Sequence, residues 1–96
     1  MDEFDVRELL KETSYPFLAA HENEWINSEG NILSFDDMSK KYLENCYKYL
    51  LEQKEKIKKG FFLQGVKYDK SQYENIVDIT NELFERKVSE LKKYIG

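Results

Sequence analysis

Two long stretches of the chain repeat apolar residues every three or four positions, the spacing that lines one face of a helix. In the later stretch Tyr73, Ile76, Val77, Thr80, Leu83, Phe84, Val88, Leu91, Tyr94 and Ile95 form an unbroken seam and predict a helix over residues 70–95. Asp69 and Gln72 have the spacing of a capping box, with Asp69 as the cap and Gln72 reaching back. The earlier stretch, 39–59, carries Leu43, Cys46, Tyr47, Leu50 and Ile57 on one stripe, which Tyr42, Tyr49 and Leu51 widen. Gly60 stops it, because a helix end needs a left-handed residue and glycine adopts one without a Cβ clash. Lys54, Lys56, Lys58 and Lys59 crowd the last turns, where cations complement the dipole, and read as a solvated helix end.

Upstream the period shortens. Trp25-Ile26 and Ile32-Leu33-Ser34-Phe35 are short apolar runs around Ser28-Glu29-Gly30-Asn31, a turn cluster in which Gly30 is free to take a positive φ. They predict a β-hairpin over 23–36, which must lean on the helix that follows because a hairpin does not stand alone in water. Asp36, Asp37 and Ser39 offer side-chain oxygens to that helix's first N–H groups. Residues 3–13 form a short helix with Val6, Leu9 and Leu10 at helical spacing, and Pro16 interrupts. Residues 16–23 read equally as a helical turn opened by Pro16 or as an irregular connection, so 1–22 is a helix plus connection. The apolar link from Gly60 to Tyr68, with Phe61 and Phe62 at its head, is expected to fold back over the hairpin end. The fold class is therefore α+β and mostly helical. A single domain over 1–96 holds a long antiparallel helix pair, a short hairpin and a short N-terminal helix.

At ~1.5 Å per residue the later helix spans roughly 39 Å against about 30 Å for the earlier one. Its apolar overhang at Leu91, Tyr94 and Ile95 asks for cover, from residues 1–20 or from a second subunit. A homo-oligomer, most simply a two-fold dimer, is the expectation.

Composition sharpens this picture. With 41% hydrophobic and 15% aromatic residues in 96, the chain has the material of one modest core. Cys46 is the single cysteine, so no intrachain disulfide forms and a reducing, cytoplasmic setting is expected. No apolar run has the length of a membrane span. The net charge of −4 is unevenly spread: residues 1–37 carry ten acidic and two basic side chains, a balance of −8, and 38–96 carry nine acidic and thirteen basic, a balance of +4. A direct nucleic-acid binder needs a concentrated basic surface and is disfavoured. The acidic front suits a basic partner surface instead.

Trp25, Gly30, Ile32, Met38, Tyr42-Leu43, Asn45 and Leu50, followed by Tyr73, Glu82-Leu83 and Arg86, form an ordered set. In it the chain resembles a loosely defined group of small phage and prophage proteins of unknown function, over roughly residues 24–86. Tyr42 stands where that group has His. The resemblance implies a viral or mobile-element origin, hence a host cytoplasm, and no particular activity.

Catalytic signatures are missing: there is no Gly-rich phosphate loop and no GxSxG, and Cys46 falls on an apolar stripe as a small core residue. No catalytic residue and no cofactor are expected, and the metal expectation is none. The weak alternative there is a hard-cation site from His21, Glu22 and Glu24 with Asp36 and Asp37 nearby. The first functional expectation is a non-enzymatic phage or mobile-element protein that inhibits or redirects a host protein. In its sharper form this is a counter-defence factor whose acidic face mimics nucleic acid and occupies a nucleic-acid-binding defence protein. The second is an oligomeric sponge for a nucleotide signal, with Trp25, Tyr42, Asn45 and Tyr49 meeting the base and the 54–59 lysines the phosphate. A metal-dependent hydrolase is the third. Candidate partner- or ligand-binding residues are Trp25, Asp36, Asp37, Tyr42, Asn45, Tyr49, Phe61 and Phe62.

Overall fold

The computed structural model describes Met1–Gly96 and has the predicted architecture. A short helix α1 (Glu3–Leu10) leads through a 3-10 turn (Pro16–Ala19) to strands β1 (Glu24–Ile26) and β2 (Ile32–Ser34). A second 3-10 turn (Phe35–Asp37) precedes α2 (Lys40–Lys58), and turns at Phe61–Leu63 and Lys70–Gln72 connect it to α3 (Tyr73–Ile95). The long helices α2 and α3 pack along each other as an antiparallel pair; α1 and the Pro16–Ala19 turn pack on α3, and β1 packs on that turn. Pro16 takes the first position of its turn, the place where a missing N–H costs least. That resolves residues 16–19 as a helical turn and leaves 20–23 as an irregular connection.

Local chemistry sets each boundary. Asp2 caps α1 by accepting from the Asp5 N–H at 2.9 Å. Of the three capping candidates before α2, Ser39 serves, accepting from the Tyr42 N–H at 3.1 Å, whereas Asp36 and Asp37 lie inside the preceding turn. Gly60 ends α2 with φ 73°, and a Cβ there would sit 2.5 Å from the Tyr73 hydroxyl, which itself donates to the Lys59 carbonyl. The capping box is corrected. Asp69 caps only the short Lys70–Gln72 turn, through Ser71, and the Gln72 side chain does not reach back; it accepts from the Met1 ammonium at 3.0 Å. The one-turn offset leaves α3 beginning at Tyr73.

The hairpin is antiparallel, with Glu24 opposite Ser34, Trp25 opposite Leu33 and Ile26 opposite Ile32. Its turn is organised by Asn27, whose side-chain oxygen accepts from the N–H groups of Glu29 and Asn31, while Gly30 supplies φ 85°.

Twenty-one apolar residues form one core, drawn from every element except β2 and the Lys70–Gln72 turn. On α2 the inner stripe is Leu43, Cys46, Leu50 and Ile57; Tyr42, Tyr49 and Leu51, expected to widen it, stand exposed at its flanks. The α3 seam is largely closed within the chain. Leu91 is fully buried, Ile95 packs against the core, and Tyr94 meets Phe35 edge-on at 5.3 Å while its hydroxyl donates to Asp36 at 2.9 Å. Phe35 and Asp36 thus cover part of the overhang that motivated a second subunit, meeting Tyr94, which keeps about 37% exposure. In the link between the long helices Phe62 and Leu63 are buried and Phe61 is exposed. The aromatic neighbour of Phe62 is Tyr15 of the N-terminal segment, at 6.4 Å.

Candidate binding surface

What fixes the hairpin against α3 is a buried lysine. Lys87 interrupts the apolar seam between Leu83 and Leu91 and is only 2% exposed. Its ammonium donates to the main-chain carbonyls of His21 and Glu24, each at 2.9 Å, to Glu90 Oε1 at 2.8 Å, and more distantly to the Ala20 carbonyl. It also lies 5.5 Å from the centre of the Phe35 ring. Burial pulls its pKa below the ordinary lysine value, and the Glu90 carboxylate partly opposes that. Glu90 Oε1 accepts in addition from the Asn23 N–H at 3.0 Å, where the chain turns through φ 61° into β1. Arg7 works from the other side, donating to the carbonyls of Ala19 and Ala20 at 3.1 and 2.9 Å. Glu3 joins Arg7 to Arg86 on α3, and those guanidiniums hold its carboxyl below the usual range. The connection through residues 19–24 is therefore held at both ends by cations that satisfy carbonyls no ladder reaches.

With the hairpin so placed, Phe17 stacks on the Trp25 indole at 4.5 Å and 10°, and Tyr49 meets Phe17 edge-on at 5.6 Å. Trp25 is buried, as an anchor should be. Trp25, Tyr42, Asn45 and Tyr49, four of the sequence candidates, converge with Cys46 on one open groove of about 240 Å³ between α2 and the hairpin. Tyr42 also closes a second compartment of about 250 Å³, formed with Leu33, Met38, Asp37 and the start of α2. Together they make a continuous strip along Tyr42. Its exposed apolar surface comes from Tyr42 and Tyr49, about 40% and 41% exposed, and from Ile32 at 63%. Burial, then the nearby Cys46, pushes the Tyr42 phenol above its ordinary value, and burial alone raises the Cys46 thiol to about 11. A thiol of that kind is no nucleophile at neutral pH.

The remaining candidates fall elsewhere. Phe61 lies beyond the far end of α2, past roughly 14 Å of helix from Tyr49. Phe62 is core, and Asp36 is engaged by Tyr94. His21, Glu22 and Glu24 gather into no metal-ligand set, nor does any other group of three or more His, Cys, Asp or Glu side chains. His21 and Glu24 contribute main-chain carbonyls to Lys87 instead.

The largest concavity, about 730 Å³, lies between the loop after α1 and the hairpin turn, lined by Lys11, Thr13 and Ser14 on one side and Asn27–Gly30 on the other. Its polar groups are largely spent internally. Lys11 pairs with Glu8, Thr13 donates to the Leu10 carbonyl, and Asn27 holds its own turn. Size alone does not make it a site.

Sequence reasoning missed Lys87, Glu90 and Arg7. The signal for Lys87 was available: four residues after Leu83 and four before Leu91, with Glu90 three residues on, it occupies a seam position that an unpaired lysine would not tolerate. No protein-family model, curated protein or solved structure matches this chain.

Proposed function

We propose that the chain is a non-enzymatic binding protein of a phage or other mobile element, acting in a host cell to inhibit or redirect a host protein. The observation that carries this reading is the convergence of Trp25, Tyr42, Asn45 and Tyr49 on an open strip of two shallow compartments. Each is smaller than the roughly 300 Å³ at which pockets begin to enclose a small molecule. An open strip of half-exposed tyrosines beside a buried tryptophan suits side chains of another protein, since such rings lend contact area at small entropic cost. The −8 balance of residues 1–37 supports a basic partner, and a counter-defence role against a nucleic-acid-binding protein is its sharpest form.

A nucleotide sponge has less support. Phe17 covers a face of the Trp25 indole, and Lys54–Lys59 lie at the opposite end of α2 from Tyr42. A hydrolase built on His21 has none in the geometry.

Capture from a bacterial lysate tests the proposal, with the Tyr42→Ala/Tyr49→Ala variant as the comparison. A host protein should be retained at low salt, released as ionic strength rises, and lost with the variant. Retention of nothing at low salt, or retention indifferent to both tyrosines, defeats it.

A further inference from the structure

A two-stranded sheet has two free edges, and in this chain they have different fates. The Asn27 N–H donates to the Asn31 carbonyl at 3.0 Å and the Phe35 N–H to the Asn23 carbonyl at 2.9 Å. Antiparallel ladders alternate bonded and non-bonded pairs, so between those two bonded positions Trp25 and Leu33 are the mutually bonded pair. Glu24 and Ile26 consequently turn their main-chain groups away on one side, and Ile32 and Ser34 on the other. The first side is engaged with α3, since Lys87 donates to the Glu24 carbonyl. On the second side no loop bond reaches Ile32 or the Ser34 N–H, while the Ser34 C=O closes the Phe35–Asp37 turn by accepting from the Asp37 N–H. That edge runs beside the compartment formed by Leu33, Met38 and Tyr42.

We infer that the outer edge of β2 accepts an extended, basic segment of the partner protein as a third antiparallel strand. One apolar side chain of that segment enters the Leu33–Met38–Tyr42 compartment, and its cations face Asp37. This inference rests on the binding-protein reading and specifies how the partner is held. Charge selects the occupant. Asp37 is the only charged residue lining either compartment; Lys40 and Lys41 open α2 but line neither. Asp36 is adjacent in sequence, Glu29 stands on the hairpin turn, and residues 1–37 carry ten acidic side chains against two basic ones. A second copy of the chain, itself −4, would bring its own Asp36, Asp37 and Glu29 against this set. Like charges facing one another disfavour that pairing. Ile32 offers a donor and an acceptor and Ser34 a donor, enough to fix the register of a short strand while leaving side-chain selection to the compartment.

The test uses the full chain and a fluorescein-labelled eight-residue peptide of alternating Lys and Val. A second peptide has the same side chains but alternate amides N-methylated, and a third has Glu in place of Lys. The chain should bind the first peptide, more weakly as salt rises, and should bind the other two at least about tenfold more weakly. On the protein, Ser34→Pro removes only the outward N–H, because Ser34 already has φ −81° and Leu33 before it is in a strand. Ser34→Ala is its control, since both variants lose the hydroxyl that accepts from the Asp36 N–H. Ser34→Pro should bind the first peptide about three- to tenfold more weakly than Ser34→Ala, the range of one main-chain hydrogen bond. If Ser34→Pro melts far below Ser34→Ala, the N-methylated peptide on the unaltered chain decides alone.

Equal binding of the methylated and unmethylated peptides overturns strand addition, and preference for the Glu peptide overturns the basic occupant. A dimer in sedimentation that Ser34→Pro dissociates makes a second copy the occupant and overturns the inference. Lysate capture that survives Ser34→Pro but not the tyrosine double variant leaves the binding-protein reading standing and defeats this one. Capture absent from the unaltered chain defeats the reading beneath it.

Discussion

Lys87→Met is the most informative perturbation of the fold. Methionine keeps most of the aliphatic stem that fills the seam and deletes the ammonium. Three short hydrogen bonds disappear, to His21, Glu24 and Glu90, and no water reaches a site 2% exposed to replace them easily. Removing one partner of a buried pair costs about 3–5 kcal/mol. Glu90 keeps the Asn23 N–H and its side chain retains 17% exposure, so the lower end applies, about 3 kcal/mol. In urea, with a slope of about 1.5 kcal/mol per molar for a chain this small, the midpoint should fall by about 2 M. A double-mutant cycle with Glu90→Gln should return a coupling of about 1–2 kcal/mol. The effect also has a pH signature. Lys87 titrates below its unfolded value of 10.5, so in that alkaline window the unfolded chain binds more protons. The part of the Lys87 contribution that is linked to this shift is therefore complete above 10.5 and is lost as pH falls through the folded value, on top of the hydrogen bonds to His21, Glu24 and Glu90 that act at neutral pH. The gap between the unaltered chain and Lys87→Met should widen as pH rises through the window. A loss under about 1 kcal/mol at neutral pH would refute the idea that this lysine fastens the hairpin.

Trp25→Ala should cost about 3–5 kcal/mol in the same denaturation assay, since it empties the space beside Phe17; a loss below about 1 kcal/mol would mean the indole is not an anchor. Gly60→Ala should lower stability by about 1–2 kcal/mol, because alanine pays for the left-handed conformation and its Cβ meets the Tyr73 hydroxyl; an unchanged melting temperature would contradict that geometry. The Cys46 thiol should react with a disulfide reagent at least about a hundredfold more slowly in the native chain than in urea, and equal rates would show the thiol to be open. Because burial raises that thiol from 9.0 to about 11, its share of stability is complete below pH 9.0 and is lost as pH passes the folded value.

The elements were legible where a residue type admits few alternatives. Gly60 and Gly30 sit at positive φ as their places demanded, Pro16 opens a turn, and the spacing of Leu43, Cys46 and Leu50 could serve only one face. Tyrosine is where the pattern became ambiguous. Tyr42 and Tyr49 have apolar rings and polar tips, so periodicity could not say whether they widened the core or flanked it, and they flank it. Gln72 satisfied a capping pattern in spacing and spent its side chain on Met1, a partner 71 residues away that no local window contains. Lys87 was passed over for the opposite reason. A search for apolar seams discards lysine by type, and only the carbonyls released by the irregular connection at residues 20–24 make a buried ammonium tolerable there. The grouping of Trp25, Tyr42, Asn45 and Tyr49 was readable as a list. That they share a groove depends on Phe17 setting the indole plane from eight residues away and on Lys87 setting the hairpin from 63.

Stability and recognition are separable in this arrangement because they use different faces of one aromatic cluster. Trp25 and Phe17 are core, so their truncation lowers stability and disturbs the groove together, and a binding defect in such a variant says little about contact. Tyr42 and Tyr49 stand about 40% and 41% exposed, and no side-chain hydrogen bond ties either to the fold. Their loss should leave the denaturation midpoint within the half kcal/mol or so typical of surface changes, while removing most of the apolar area a partner would cover. Lys87 lies between the two cases. It touches no part of the groove, yet it holds the carbonyl that enters β1, so Lys87→Met shifts the hairpin against α2 without altering a single groove side chain. If the strip binds by preorganised shape, Lys87→Met should weaken binding even where the chain remains folded. If binding survives Lys87→Met undiminished, the two tyrosines act as free anchors and the hairpin position is irrelevant to recognition.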